Sequence, residues 1–111
     1  MSALSRQRGH TFERDMAEAF RSAGWHEAMT KREARGGDFS TTDDGVDLVG
    51  TLPFLVQAKL GRKYCHPNKI EEIKVEDGIK VLLTRGDRKR TIACLYLEDF
   101  LKLIRDVYHT A

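Results

Sequence analysis

The sequence is poor in the features that mark secreted, membrane or metal-stapled proteins. Two cysteines, Cys65 and Cys94, are spread through 111 residues, and there is no CxxC. That supply suits neither a disulfide framework nor a zinc scaffold, so a reduced, cytoplasmic protein is expected. Cys65 and His66, with His10 or His26, match no common zinc spacing. No apolar run has membrane length and no leader pattern opens the chain, so no membrane partner is expected. Internal repeats, low-complexity tracts and linkers are absent. Charge of one sign is also lacking. The formal net charge is only +2, a total that neither demands nor excludes a polyanionic partner. What is present is a globular composition, 41% hydrophobic and 32% charged. One domain spanning residues 1–111, with one modest core, accounts for the length.

Apolar periodicity divides that domain. From Arg6 to Ala23, the residues Phe12, Met16, Ala19, Phe20 and Ala23 recur at helical spacing, and Gly24 is a natural stop. Glu13 falls at the edge of this face. Arg6, Arg8, His10 and Arg14 make the start of the helix basic, which opposes the helix dipole and suits a nearby anion. Trp25–Arg32 reads as a strand. Lys31–Asp44 reads as a polar loop holding Arg32, Arg35, Gly36, Gly37 and Asp38. Val46–Gly50 and Phe54–Leu60 read as central strands. A basic turn containing Arg62 and Lys63 follows. A helix is expected from Pro67 to about Asp77, with Gly78 as its stop. Ile79–Thr84 and Thr91–Leu97 read as strands around a basic turn, and Glu98–Tyr108 as a closing helix. The order α-β-β-β-α-β-β-α implies an α/β fold, a mixed central sheet flanked by helices.

The stretch Gly45–Lys59, GVDLVGTLPFLVQAK, carries the chemistry. Alternation puts Phe54, Val56, Ala58 and Leu60 on one face, and Leu55, Gln57 and Lys59 on the other. An apolar strand has no packing reason to set an amide and an ammonium side by side. A hairpin would bring Asp47 beside Gln57 and Lys59. Phosphodiester hydrolysis calls for a divalent cation on oxygen ligands and a positive charge for the transition state. Asp47 and the Gln57 amide oxygen suit the first need, with Glu13 as a second carboxylate, and Lys59 suits the second.

A helix acid followed by D-x(9)-[DE]-x-K across a hairpin resembles the PD-(D/E)xK nuclease superfamily. GHTFERDMAEAFRSAGW, then a glycine-containing basic loop, then GVDLVG and FLVQAK, looks like the archaeal-type Holliday junction resolvases, phage-encoded versions included. The resemblance spans about Arg6 to Lys63. It implies a restriction-endonuclease-like fold and a magnesium-dependent endonuclease, with manganese able to substitute. It implies Glu13, Asp47, Gln57 and Lys59 as catalytic residues, the first three holding metal. Arg6, Arg8, Arg32, Arg35, Arg62 and Lys63 would contact DNA, a four-way junction in the resolvase case. The resembling resolvases are homodimers, and Tyr96, Leu97, Phe100, Leu103, Ile104 and Tyr108 offer an apolar interface. The sequence departs from the family at Gln57, where an acid is usual, leaving the site one negative charge short. Asp38, Asp43 or Asp44 could compensate. A nicking or less selective endonuclease, or a DNA-binding module with a degenerate site, is the alternative.

Overall fold

Seven residues, Phe54–Leu60, form β3, and the rest of the fold is arranged on its two faces and two edges. The computed structural model describes residues 3–34, 44–61, 67–86 and 90–109. Around β3 lie α1 (Ala3–Ser22), β1 (Met29–Thr30), α2 (Lys31–Ala34), β2 (Leu48–Val49), α3 (Pro67–Glu71), β4 (Ile79–Arg85), β5 (Ile92–Cys94) and α4 (Leu97–Tyr108). β3 pairs in parallel with β4, from Phe54 opposite Ile79 to Leu60 opposite Arg85. β5 returns antiparallel on β4, which makes a mixed three-stranded sheet in the order β3-β4-β5. β1 and β2 form a separate antiparallel pair. The α/β class and a mixed sheet agree with the expectation from sequence, but the single central sheet does not, because β2, expected as a central strand beside β3, pairs with β1 in a separate sheet.

The alternation along β3 is realised. Val56 and Ala58 join Val81, Leu83 and Leu48 against Phe12, Met16 and Ala17 of α1. Leu55, Gln57, Leu82 and Thr84 are also buried but point to the opposite face, on the side of α3. Phe20 completes the α1 contact from the edge, within an aromatic group of Phe20, Trp25 and Phe54. The inward stripe of α1 differs from the periodic reading. Ala17 is fully covered, whereas Ala19 and Ala23 are exposed. Alanine adds little to a face, so large neighbours decide the rotation of the helix, and Phe12 and Met16 set it here.

Several elements depart from the expected boundaries. Met29–Thr30 is all that remains of the Trp25–Arg32 strand. Lys31–Ala34 is a helical turn rather than loop, because the Thr30 hydroxyl accepts the Glu33 N–H at 3.0 Å. Thr-x-x-Glu is the capping-box pattern, and it was legible in TKRE. α3 ends at Glu71, seven positions before Gly78, so that glycine does not stop it. A Cβ on Gly78 would lie 2.7 Å from the Pro53 carbonyl oxygen, so close packing explains the residue. The expected free thiols are also corrected, since Cys94 is half-buried and disulfide-bonded. The chain has one other cysteine, Cys65, outside the described residues. No helix among the described residues is long and apolar enough to cross a membrane.

α4 stands apart from the core. It contains no buried residue, and Leu97, Phe100, Leu101, Val107 and Tyr108 are all exposed. Its first turn carries Glu98 and Asp99 and its last turn Arg105, which favours the helix electrostatically. Urea unfolding separates the two apolar groups. Phe12, 1% exposed, should cost about 3–5 kcal/mol when changed to Ala. Phe100, 46% exposed, should cost under about 1 kcal/mol. A Phe100→Ala loss as large as that of Phe12→Ala would put α4 in the monomer's core.

Candidate active site

Asp47 occupies the seam between the two sheets. Its N–H donates to the Val56 carbonyl of β3 at 2.8 Å. Its own carbonyl accepts the Lys31 N–H at 2.8 Å, from the junction of β1 and α2. Its carboxylate Oδ2 accepts the Ala58 N–H at 2.8 Å. A regular hairpin ladder would give that last N–H to a main-chain carbonyl. The side chain takes the place instead, which is why β2 runs beside β3 with little ladder between them. The turn joining them is closed by the Phe54 N–H to the Thr51 carbonyl and by the Thr51 hydroxyl to the Phe54 carbonyl, both at 2.8 Å. Asp47 is thereby fixed at Ala58 of β3.

Glu13 reaches the same place from α1. It is half-buried one residue beyond Phe12. Burial, and after it the nearby Asp47 carboxylate, push the Glu13 carboxyl up to about 7, against the opposing pull of Arg32 and Lys59. Three elements thus deliver Glu13, Asp47 and Lys59 into one electrostatic neighbourhood. Gln57 lies two residues before Lys59 on the same face of β3, the face turned from Val56 and Ala58. It is 3% exposed, and its Nε2 donates to Glu72 Oε2 at 3.0 Å, just beyond α3. Its Oε1 is buried with no hydrogen-bond partner. Lys59, exposed at the end of β3, lies in the field of both Glu13 and Glu72 and so links the two halves.

Two carboxyls and an unpaired amide oxygen are all hard oxygen donors, the set that magnesium accepts. An orphaned buried acceptor costs about 1–3 kcal/mol, and a cation would satisfy it. By donor chemistry, Asp47, Glu13 and Gln57 Oε1 would suit a magnesium ion. No group of three or more His, Cys, Asp or Glu side chains is assembled among the described residues, so an amide is needed to complete such a set. Asp44 does not supply the missing charge, because its carboxylate forms an ion pair with Lys31 and accepts the Val46 N–H at 3.0 Å. Asp38 and Asp43 lie outside the described residues.

A cleft of about 450 Å³ opens beside Glu13. Arg6, His10, Glu13 and Arg14 line it from α1, and Thr30 and Arg32 from the other wall. Positions 6, 10, 13 and 14 share one helical face. Arg8 is about 200° around the helix from Arg6 and lies outside the cleft lining, so the structure separates two residues that the sequence reading grouped. Arg32 contacts His10 Nε2 at 2.7 Å. Guanidinium can only donate, so Nε2 accepts, and the ring is neutral. Burial, followed by Arg32, Arg14 and Arg6, holds the His10 pKa below its usual value. Arg14 and His10 were visible only as part of a basic helix start, and the wall opposite them gives them a shared target. Arg35, Arg62 and Lys63 lie outside the described residues.

The Glu13 environment has a pH signature. Its folded pKa, about 7, exceeds the ordinary 4.5, so the folded state holds the proton more tightly. The associated stability is complete below about pH 4.5 and is lost as pH rises through about 7. In metal-free protein, Glu13→Gln should remove about 1 kcal/mol of that fall between pH 5 and 8, after allowance for solvent screening. Urea midpoints at the two pH values measure it, and equal slopes in wild type and variant would refute the coupling. Compared with known proteins, the chain matches no family model, no curated protein sequence and no solved structure at a significant level.

Proposed function

We propose that the protein is a metal-dependent endonuclease that hydrolyses DNA phosphodiesters, with a restriction-endonuclease-like fold. The observation that carries the reading is the convergence of Glu13, Asp47 and Lys59 from three separate elements. Bound magnesium, or manganese in its place, would polarise the phosphate and make a water nucleophilic at neutral pH. Asp47 and Glu13 hold negative charge at the site. Lys59 sets its ammonium where charge develops on the phosphoryl oxygens. Water attacks phosphorus and gives up a proton to solvent, the phosphorus–oxygen bond to the departing strand breaks, and the departing oxygen takes up a proton from solvent. Arg6, Arg14 and Arg32 hold the sugar–phosphate backbone in the adjoining cleft.

Within this class, a Holliday junction resolvase is the finer reading. Resolution needs two symmetric cuts, and a two-fold homodimer provides two sites. The uncovered apolar side of α4, with Leu97, Phe100 and Tyr108, supports such a pairing. A second reading, a DNA-binding module that no longer cuts, is favoured by Gln57 in the position where an acid would bring more charge. The distinguishing experiment is incubation with magnesium and linear, nicked, flapped and four-way DNA. Cleavage of the four-way substrate by a dimer is expected, lost in Lys59→Ala with affinity retained. Binding without cleavage of any substrate would favour the second reading. Cleavage by a strict monomer would favour a nicking nuclease.

The cleft predicts a graded effect on binding. Arg14→Ala or Arg32→Ala should weaken DNA binding uniformly across sequences. Each should lower the slope of log K against log salt by about one. Arg8→Ala should leave the slope unchanged. Equal effects at Arg8 and Arg14 would move the DNA surface off the cleft.

A further inference from the structure

The departure of the site from its family pattern at Gln57 has a counterpart elsewhere in the fold. Gln57 is buried at the middle of β3, opposite Leu82 of β4. A buried amide has donors at one end and an acceptor at the other, and nothing intrinsic to glutamine selects which end faces which neighbour. Here Glu72 selects it. An ionised carboxylate only accepts, so the end that meets Glu72 Oε2 at 3.0 Å must be Nε2. Oε1 is then the end directed elsewhere, and it is the one buried side-chain polar atom without a partner among the described residues. Turned over, the amide would present N–H groups there, which repel a cation.

The backbone holds Glu72 in place for this. The Lys74 N–H donates to the Asp44 carbonyl at 2.7 Å. Gly45, at φ +82°, packs so closely that a Cβ would lie 2.2 Å from the Glu72 carbonyl oxygen. Residues 72–74 are therefore clamped to the segment that leads into Asp47. The Gln57 hydrogen bond, above all, holds the Glu72 carboxyl below its usual pKa, with Lys69 and Lys59 adding to the effect against burial. The Lys69–Glu72 ion pair, at 3.3 Å, is largely exposed, so the amide contact is the inward one.

We propose that Glu72 is the positioning residue of the metal site. It orients the Gln57 amide so that Oε1 faces the cation, and it returns through that amide the negative charge lost when position 57 is not an acid. Hydrogen bonding to an anion polarises the amide and makes Oε1 a stronger donor to metal. The inference rests on the nuclease reading, because it presupposes a divalent cation at Gln57.

The test uses full-length protein and Mn²⁺ alone as the probe, without DNA. Glu72→Gln should weaken Mn²⁺ binding by about tenfold in calorimetric titration. Adding Gln57→Glu should restore it, and should gain more in the Glu72→Gln background than in wild type. In metal-free protein, the Gln57 side-chain amide protons should exchange slowly and lose that protection in Glu72→Gln. Glu72→Asp, which keeps the charge but shortens the reach by one carbon, provides a second variant should the first melt early. It should also lose protection and affinity. Unchanged Mn²⁺ affinity in both variants overturns the positioning role, while DNA cleavage by wild type leaves the nuclease reading standing. Wild-type protein that takes up no Mn²⁺ overturns both.

Discussion

One residue ties the two sheets together. Asp47 gives its N–H to β3, its carbonyl to the start of α2 and its carboxylate to the Ala58 N–H. Removing that carboxylate would orphan a buried N–H, at a cost of about 1–3 kcal/mol. It would also free β2 to slide along β3, where a shift of one residue reverses every side chain. The same three bonds bring a carboxylate to the open end of β3. Structure and chemistry are therefore imposed at one position, which makes Asp47 a poor place to separate the two by alanine substitution and a better one for asparagine.

Around that fixed anion, the other charges adjust. Glu13 is driven toward its protonated form by burial and by Asp47, against the pull of Arg32 and Lys59. On the far side of β3, Glu72 keeps its charge because an amide and two lysines support it. Lys59 stands between them. Among the basic residues of the cleft, Arg6 stands in the first turn of α1, where positive charge opposes the helix dipole and no acid occupies the turn.

α4 presents a different problem. A small domain usually needs most of its apolar side chains in its own core. Here the α1–sheet interface and the α3 side of the sheet complete the burial without it. A helix with several large exposed apolar residues invites association, and its acidic first turn and basic last turn favour the helical state.

Much of the fold was legible in the sequence, since periodicity is a local property. Period two in FLVQAK fixed the faces of β3 and singled out Gln57 and Lys59 as chemically unneeded for packing. Phe12 and Met16 fixed α1, and Glu13 followed at its border. Asp47 was recoverable because the turn at Thr51–Phe54 is short enough to return the chain on itself. Boundaries were less legible, because capping by Thr30 and the close approach at Gly78 override the simple reading of glycines and polar runs. Tertiary structure alone decided which neighbours meet. No spacing announces that Glu72 lies on Gln57, that Arg14 faces Arg32 across a cleft while Arg8 does not, or that Cys94 is disulfide-bonded. Each pairs groups distant along the chain or divided by helical rotation, and such contacts exist only once Asp47 has joined the sheets and the sequence has folded around β3.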